Sequence, residues 1–224
     1  MAQYGVIFDM DGVLVDSYRA HFESWRRLAQ AHGLDMTEEQ FAATFGQTTR
    51  EIIRRLWSEH LDDEDVARWD DEKEAYYRDV LAANFPEMVG AAELIASLHE
   101  AGFAMAIGSS GPPENVAVVM AHLRGAERIA ATVDAMDVTR GKPDPEVFLM
   151  AAGKLGVEPR RCAVIEDAVA GVEAARRAGM AAFALTGTAT REQLAAADLV
   201  VHSLRELAPE VVLELIAERN RQDC

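Results

Sequence analysis

The sequence predicts an α/β fold: a parallel-sheet core with helices on both faces, interrupted after its first strand by an inserted all-helical domain. Three observations carry this. Short, apolar, β-rich runs alternate with helical patterns through the second half of the chain; one similar run stands alone near the N-terminus; and residues 17–85 between them hold helix start signals but no convincing strand.

In chain order, Tyr4 to Asp9 (YGVIFD) reads as a buried strand running into DGVLVDS, a turn signal. Within 17–85, Thr37-x-x-Gln40 and Thr48-x-x-Glu51 fit the capping box, in which each side chain satisfies a backbone N–H at the other end of the turn. Trp25, Trp57 and Trp69 all fall there, as the core of a small bundle would require. Phe85-Pro86 marks the return to the sheet, so residues 1–16 and 86–224 are expected to form the core and 17–85 the insert. Strands then follow at Phe103–Gly108, Ala130–Val133, Cys162–Ile165, Ala181–Leu185 and, more weakly, Leu199–Val201. Helical patterns at Pro113–Leu123, Pro145–Leu155, Ala168–Ala178 and Pro209–Arg219 lie between or after them, three opening with a proline whose fixed φ suits a first turn.

Composition narrows the function classes. The chain has 224 residues, enough for one core and a smaller insert, with 22 Lys and Arg against 38 Asp and Glu and a formal net charge of -16. That balance argues against nucleic-acid or anionic-membrane partners. It also means that a phosphorylated substrate would need a recruited cation or inward-aimed basic residues. Cys162 and Cys224 form no CxxC pair, which argues against a disulfide framework or zinc site. Acidic groups break the first apolar run, unlike a signal peptide, and no apolar stretch spans a bilayer, so a soluble, cytoplasmic protein is expected.

Parallel sheets place their sites just beyond the carboxyl ends of strands. After the first strand come Asp9 and Asp11, two carboxylates two positions apart with Gly12 to turn the chain; one can act as nucleophile and the other as acid and base, although Asp-Gly is also a common turn. After the second come Ser109 and Ser110, a hydroxyl and amide group suited to a phosphate oxygen, or an ordinary strand-to-helix loop. Lys142, fenced by Gly141 and Pro143, can neutralise phosphate and carboxylate charge, or be a surface lysine. After Cys162–Ile165 come Glu166 and Asp167; with Asp9, Asp167 suits a hard cation such as Mg²⁺, and it can also cap the following helix. Each is weak alone; four in order, each placed after a strand, point to one site.

Asp9-x-Asp11-Gly12, Ser109, Lys142 in GKPDP and Glu166-Asp167 in VIEDAVAGVEAARRAGM resemble, in order, the four motifs of the haloacid dehalogenase-like (HAD) hydrolase superfamily, across essentially the whole chain. The resemblance implies a Rossmann-like core, with 17–85 as the helical cap of the branch that holds β-phosphoglucomutase and phosphatases of phosphoglycolate, glycerol phosphate and sugar phosphates. It implies Asp9 as the nucleophile forming an aspartyl-phosphate, Asp11 as acid and base, and Ser109 and Lys142 as holders of the phosphoryl group. It also implies Mg²⁺ at Asp9, the Asp11 carbonyl and Asp167, with Glu166 assisting directly or through water. The family's dehalogenases lack the second Asp, so Asp11 argues for phosphoryl transfer.

The implied substrate is a small phosphorylated metabolite, handled by a monomer or weak homo-oligomer. His21 and Trp25, one turn apart in AHFESW, are similar to the mutase and to related phosphatases; Arg50 and Lys73 lie near positions where the mutase carries cap cations. With Ser110, these are the candidate substrate contacts. Where the mutase has a lysine close after its second-motif serine, this chain has Gly111 or Pro112. A phosphatase therefore ranks first and a phosphomutase second. A catalytically silent binding module would have lost a motif residue, and none is missing. The other histidines (32, 60, 99, 122 and 202) are expected at the surface or satisfied.

Overall fold

The computed structural model describes residues 3–44, 47–57 and 61–222. His60 and Cys224 lie outside them. The chain divides into two compact units, one of residues 1–16 with 86–224 and the other of residues 17–85.

The larger unit is a six-stranded, all-parallel sheet: β1 (Gly5–Phe8), β2 (Ala104–Gly108), β3 (Ala131–Val133), β4 (Cys162–Glu166), β5 (Ala181–Leu185) and β6 (Leu199–Val201). Their spatial order is β3-β2-β1-β4-β5-β6. The chain therefore walks outward from β1 in one direction, then returns to its other side. The crevice between β1 and β4, where that order reverses, is where open α/β sheets bind ligands.

Every residue of β1, β4 and β5 is buried, which explains why these strands read as continuous apolar runs. Ile7, Ala106, Val164 and Ala182 share a cluster with Phe148 and Ala151 of helix α7 (Glu146–Leu155) and with Val172 and Ala175 of α8 (Val169–Arg177). The alternate residues Val6, Phe8, Met105 and Ile107 are also fully buried, so both faces of the sheet are covered. Helices α5 (Ala91–Glu100) and α9 (Pro209–Gln222) pack on β2 and on β4–β5 respectively, and α6 (Pro113–His122) follows β2. The sequence reading missed α5. Its N-cap is Gly90, in the left-handed region at φ 95°, with none of the Ser, Thr or Asp signals that mark a start.

The smaller unit is helical: α1 (Tyr18–Ala31), α2 (Glu38–Ala42), α3 (Thr49–Trp57) and α4 (Asp63–Ala83). Both capping boxes form. Thr37 N donates to Gln40 Oε1 at 2.8 Å while Gln40 N donates to Thr37 Oγ1 at 3.1 Å, and Thr48 and Glu51 exchange the equivalent pair. Trp25, Leu28, Ile53 and Trp69 centre its core, with Trp57 packed against them. No helix among the described residues is long and apolar enough to cross a membrane.

Candidate active site

The register places the acids. Phe8 pairs with Ile165 across β1 and β4, and Asp9 N continues the ladder to Ile165 O at 2.9 Å. Asp9 therefore emerges level with Glu166, which is the last residue of β4, paired with Ala184, and not the first of the loop. On the other side, Phe8 pairs with Ile107, so the peptide of Ser109 leaves β2 just beyond the level of Asp9.

Lys142 ties the strand ends together. Its Nζ donates to Asp9 Oδ1 at 2.5 Å and to Glu166 Oε1 at 2.6 Å, with a side chain only 9% exposed and its ammonium 4.8 Å from the centre of the Phe148 ring. Burial opposes its charge, but the two carboxylates outweigh burial and raise its pKa. The other oxygen of Glu166 accepts from the amides of Asp167 and Ala168, both at 2.8 Å. Here the structure corrects one reading: Asp167 is not the cap of α8. The N-cap is Ala168, without a side-chain cap bond, and Glu166 takes up these amides from the strand end.

Asp9, Glu166 and Asp167 bring carboxylate oxygens within 4.8 Å of one another, all buried. Burial pushes the Asp9 carboxyl up to about 7; Lys142 opposes that rise, and the charges of Glu166 and Asp11 add to it. Burial, with Glu166 and Asp9, likewise holds Asp167 well above the carboxylate range. Three carboxylates against one ammonium form a set of hard oxygen donors that a small dication would neutralise, so these residues fit the divalent metal that the family implies.

Two glycines make this packing possible. Gly12 turns at φ 77°, and a Cβ there would stand 1.9 Å from Asp167 Oδ2; a Cβ on Gly171 would stand 1.7 Å from Glu166 Oε1. The sequence reading named Gly12 and overlooked Gly171. It also overlooked Thr188, whose side chain beside Asp167 favours the ionised acid. Thr188 lies in the loop after β5, so the strand-end rule applied to that loop would have found it.

Asp11 is half-buried and close enough for its charge to act on Asp9. Ser109 is 2% exposed; its amide donates to Val133 O at 2.9 Å and its Oγ accepts from Gly111 N at 3.0 Å, whereas Ser110 faces solvent.

In the helical unit, Lys73 is 3% exposed, its Nζ 3.0 Å from His21 Nδ1 and 2.9 Å from Glu74 Oε1. His21 stacks on Tyr77 at 4.1 Å, and the Lys73 ammonium stands 5.8 Å from the Trp25 ring and 5.2 Å from that of Tyr77. His21, Trp25 and Lys73 are thus brought together, with Trp25 itself in the unit's apolar core. Arg50 is not among them: it is exposed and paired with Asp70 at 2.9 Å. His32 bonds Glu72, His122 the Val118 carbonyl, and His202 Thr186; His99 is exposed.

The haloacid dehalogenase-like hydrolase family matches residues 5–179, a span that holds Asp9, Asp11, Ser109, Lys142, Glu166 and Asp167. The chain belongs to that family. Its relatives include validoxylamine A 7'-phosphate phosphatase of Streptomyces hygroscopicus subsp. limoneus, 33% identical over 210 residues, covering 90% of this chain and 94% of the relative. Hexitol phosphatase A of Escherichia coli K12 is 34% identical over 205 residues, covering 91% and 92%. Among solved structures, β-phosphoglucomutase from Clostridium difficile superposes with a TM-score of 0.83 at 28% identity, covering 98% of this chain and 99% of the mutase. This HAD-family member is a phosphoryl-transfer enzyme.

Proposed function

We propose that the chain is a magnesium-dependent phosphatase acting on a small phosphate monoester, a sugar or polyol phosphate by the character of its relatives, through an aspartyl-phosphate on Asp9. The observation that carries the reading is the contact of Lys142 with both Asp9 and Glu166, beside Asp167, at the switch point of the sheet. Such a cluster has little structural reason to exist, since burying three acids around one lysine costs more than an apolar core of similar volume.

In this scheme the Asp9 carboxylate attacks phosphorus while Asp11 gives its proton to the departing alkoxide. Asp11 then takes a proton from water, whose oxygen attacks the phosphoryl group; the bond from phosphorus to Asp9 breaks, releasing inorganic phosphate. Lys142 and Ser109 hold phosphoryl oxygens throughout. Asp9, Asp167 and Glu166, with the Asp11 carbonyl, would hold a divalent cation, which would supply the positive charge that lets one anion approach another.

A second reading, a sugar phosphomutase, is favoured by the buried Lys73 in the helical unit, a cation suited to a second phosphate. Against it, Ser110 to Glu114 offers no cation after Ser109. A panel of phosphate esters with Mg²⁺, including sugar 1- and 6-phosphates, tests both. Phosphate release from a sugar or polyol phosphate supports the phosphatase. Rapid conversion of β-glucose 1-phosphate to glucose 6-phosphate with a trace of the 1,6-bisphosphate and little free phosphate would replace it by the mutase. No turnover of any ester would remove both.

A further inference from the structure

Lys142 does the joining in the core site, yet its loop has little apolar packing of its own. Thr139, Arg140 and Gly141 are exposed, and a Cβ on Gly141 would meet nothing within 4 Å. The loop is held by polar contacts, and they converge on Glu146, the first residue of α7. Its Oε1 accepts from Thr139 N at 3.0 Å and Thr139 Oγ1 at 3.2 Å; its Oε2 accepts from Thr139 Oγ1 at 3.0 Å and Arg140 N at 3.0 Å. Glu146 N donates to Asp144 Oδ1 at 3.1 Å, Asp144 N donates to Gly141 O at 3.0 Å, and Arg140 reaches Asp144 at 3.2 Å.

An acid in a first helical turn is commonplace, because it complements the helix dipole. This one does something else: its oxygens turn back to amides that precede Lys142, closing segment 139–146 on itself with the lysine at its middle. Two residues further along the same helix, Phe148 lies under the Lys142 ammonium. One helix end thus fixes both the backbone that carries Lys142 and the surface on which its ammonium rests.

We propose that Glu146 is a positioning residue, whose grip on Thr139 and Arg140 sets where the Lys142 ammonium stands relative to Asp9 and Glu166. The role rests on the phosphoryl-transfer reading, but one arm of its test does not. Lys142, Lys73 and Lys154 are the three lysines of the chain, so acetylation by a dilute active ester, read peptide by peptide by mass spectrometry, reports each separately. Glu146→Ala should release Lys142 and raise its acetylation rate several-fold relative to Lys73 and Lys154, with Glu146→Gln, which keeps one acceptor oxygen, in between. On whichever ester the native enzyme turns over, Glu146→Ala should lower kcat/KM by about 10- to 100-fold, the scale of a misplaced catalytic group. In a Lys142→Ala background the same change should cost less than about twofold, because the residue it positions is gone. If Glu146→Ala does not fold, Glu146→Gln carries each comparison. An unchanged Lys142 acetylation rate, or an activity loss that adds in full to that of Lys142→Ala, overturns the proposal. An inactive native enzyme would instead strike the phosphoryl-transfer reading, leaving the acetylation arm to decide the role of Glu146.

Discussion

Each unit of this protein buries one lysine, and the two are buried in opposite company. Lys142 in the α/β unit stands among Asp9, Glu166 and Asp167, three acids around one ammonium, where burial first and neighbouring carboxylates second raise the carboxyl pKa of Asp9 and of Asp167. Lys73 in the helical unit has one carboxylate, Glu74, which Thr49 shares, and otherwise a histidine nitrogen and two aromatic rings. In the first surrounding three acids outnumber one ammonium; in the second a single carboxylate balances it. Burial of the same side chain thus comes with two different charge balances, set by the count of acids around it.

The largest expected effect lies in the first surrounding. Asp9→Asn should cut turnover on the order of 10⁴-fold or more, as loss of a nucleophile does. The variant should still fold, since it removes a buried acid and keeps the Lys142–Glu166 pair; phosphate release and a melting curve check both halves.

Next comes the direct comparison of lysines. Lys142→Ala strands three buried acids, so it should lose about 10²- to 10³-fold in kcat and about 3 kcal/mol of stability by denaturant titration. Lys73→Ala should cost about tenfold in kcat/KM on phosphate esters, the worth of one charge-assisted hydrogen bond. Equal losses of stability at the two positions would dissolve the contrast.

The burial of Asp9 among other acids has a pH signature. With its pKa raised to about 7, folded Asp9 keeps a proton that the unfolded chain, at an ordinary carboxylate value, has released. Its contribution to cation-free stability is therefore fully present below the ordinary carboxylate pKa and is lost as pH rises through about 7. Mg²⁺ competes with that proton, so the rise in Tm on adding Mg²⁺ should be larger near pH 8 than near pH 5.5, by a few degrees. Asp167→Asn should shrink the rise at high pH. Smallest of all, Arg50→Ala should change KM by less than about twofold and stability by about 0.5 kcal/mol, because its pair with Asp70 is solvent-exposed.

The two units were also unequally legible in the sequence. In the α/β unit β1, β4 and β5 could be read because full burial makes each an unbroken apolar run, and strand ends then indicate a site without any distances. Apart from Thr188, what escaped were features with no polar signature of their own. Helix α5 begins at a glycine, and Gly171 matters only because Glu166 folds over it. In the helical unit, boxes such as Thr37–Gln40 are local and readable. Which cations converge depends on how helices rotate against one another, so Lys73 and Arg50 looked alike in sequence and differ in the structure: one packed against His21, the other facing solvent beside Asp70.

In the proposed reaction Asp9 carries the phosphoryl group. Incubation with acetyl phosphate or a turned-over ester and Mg²⁺, followed by acid quench, borohydride reduction and peptide sequencing, reads this directly. An acyl phosphate on Asp9 should appear as homoserine at position 9, dependent on the phosphoryl donor and absent from Asp9→Asn. Homoserine at another aspartate, hydroxynorvaline at a glutamate, or turnover with an unmodified position 9 under conditions that trap the intermediate would contradict that role.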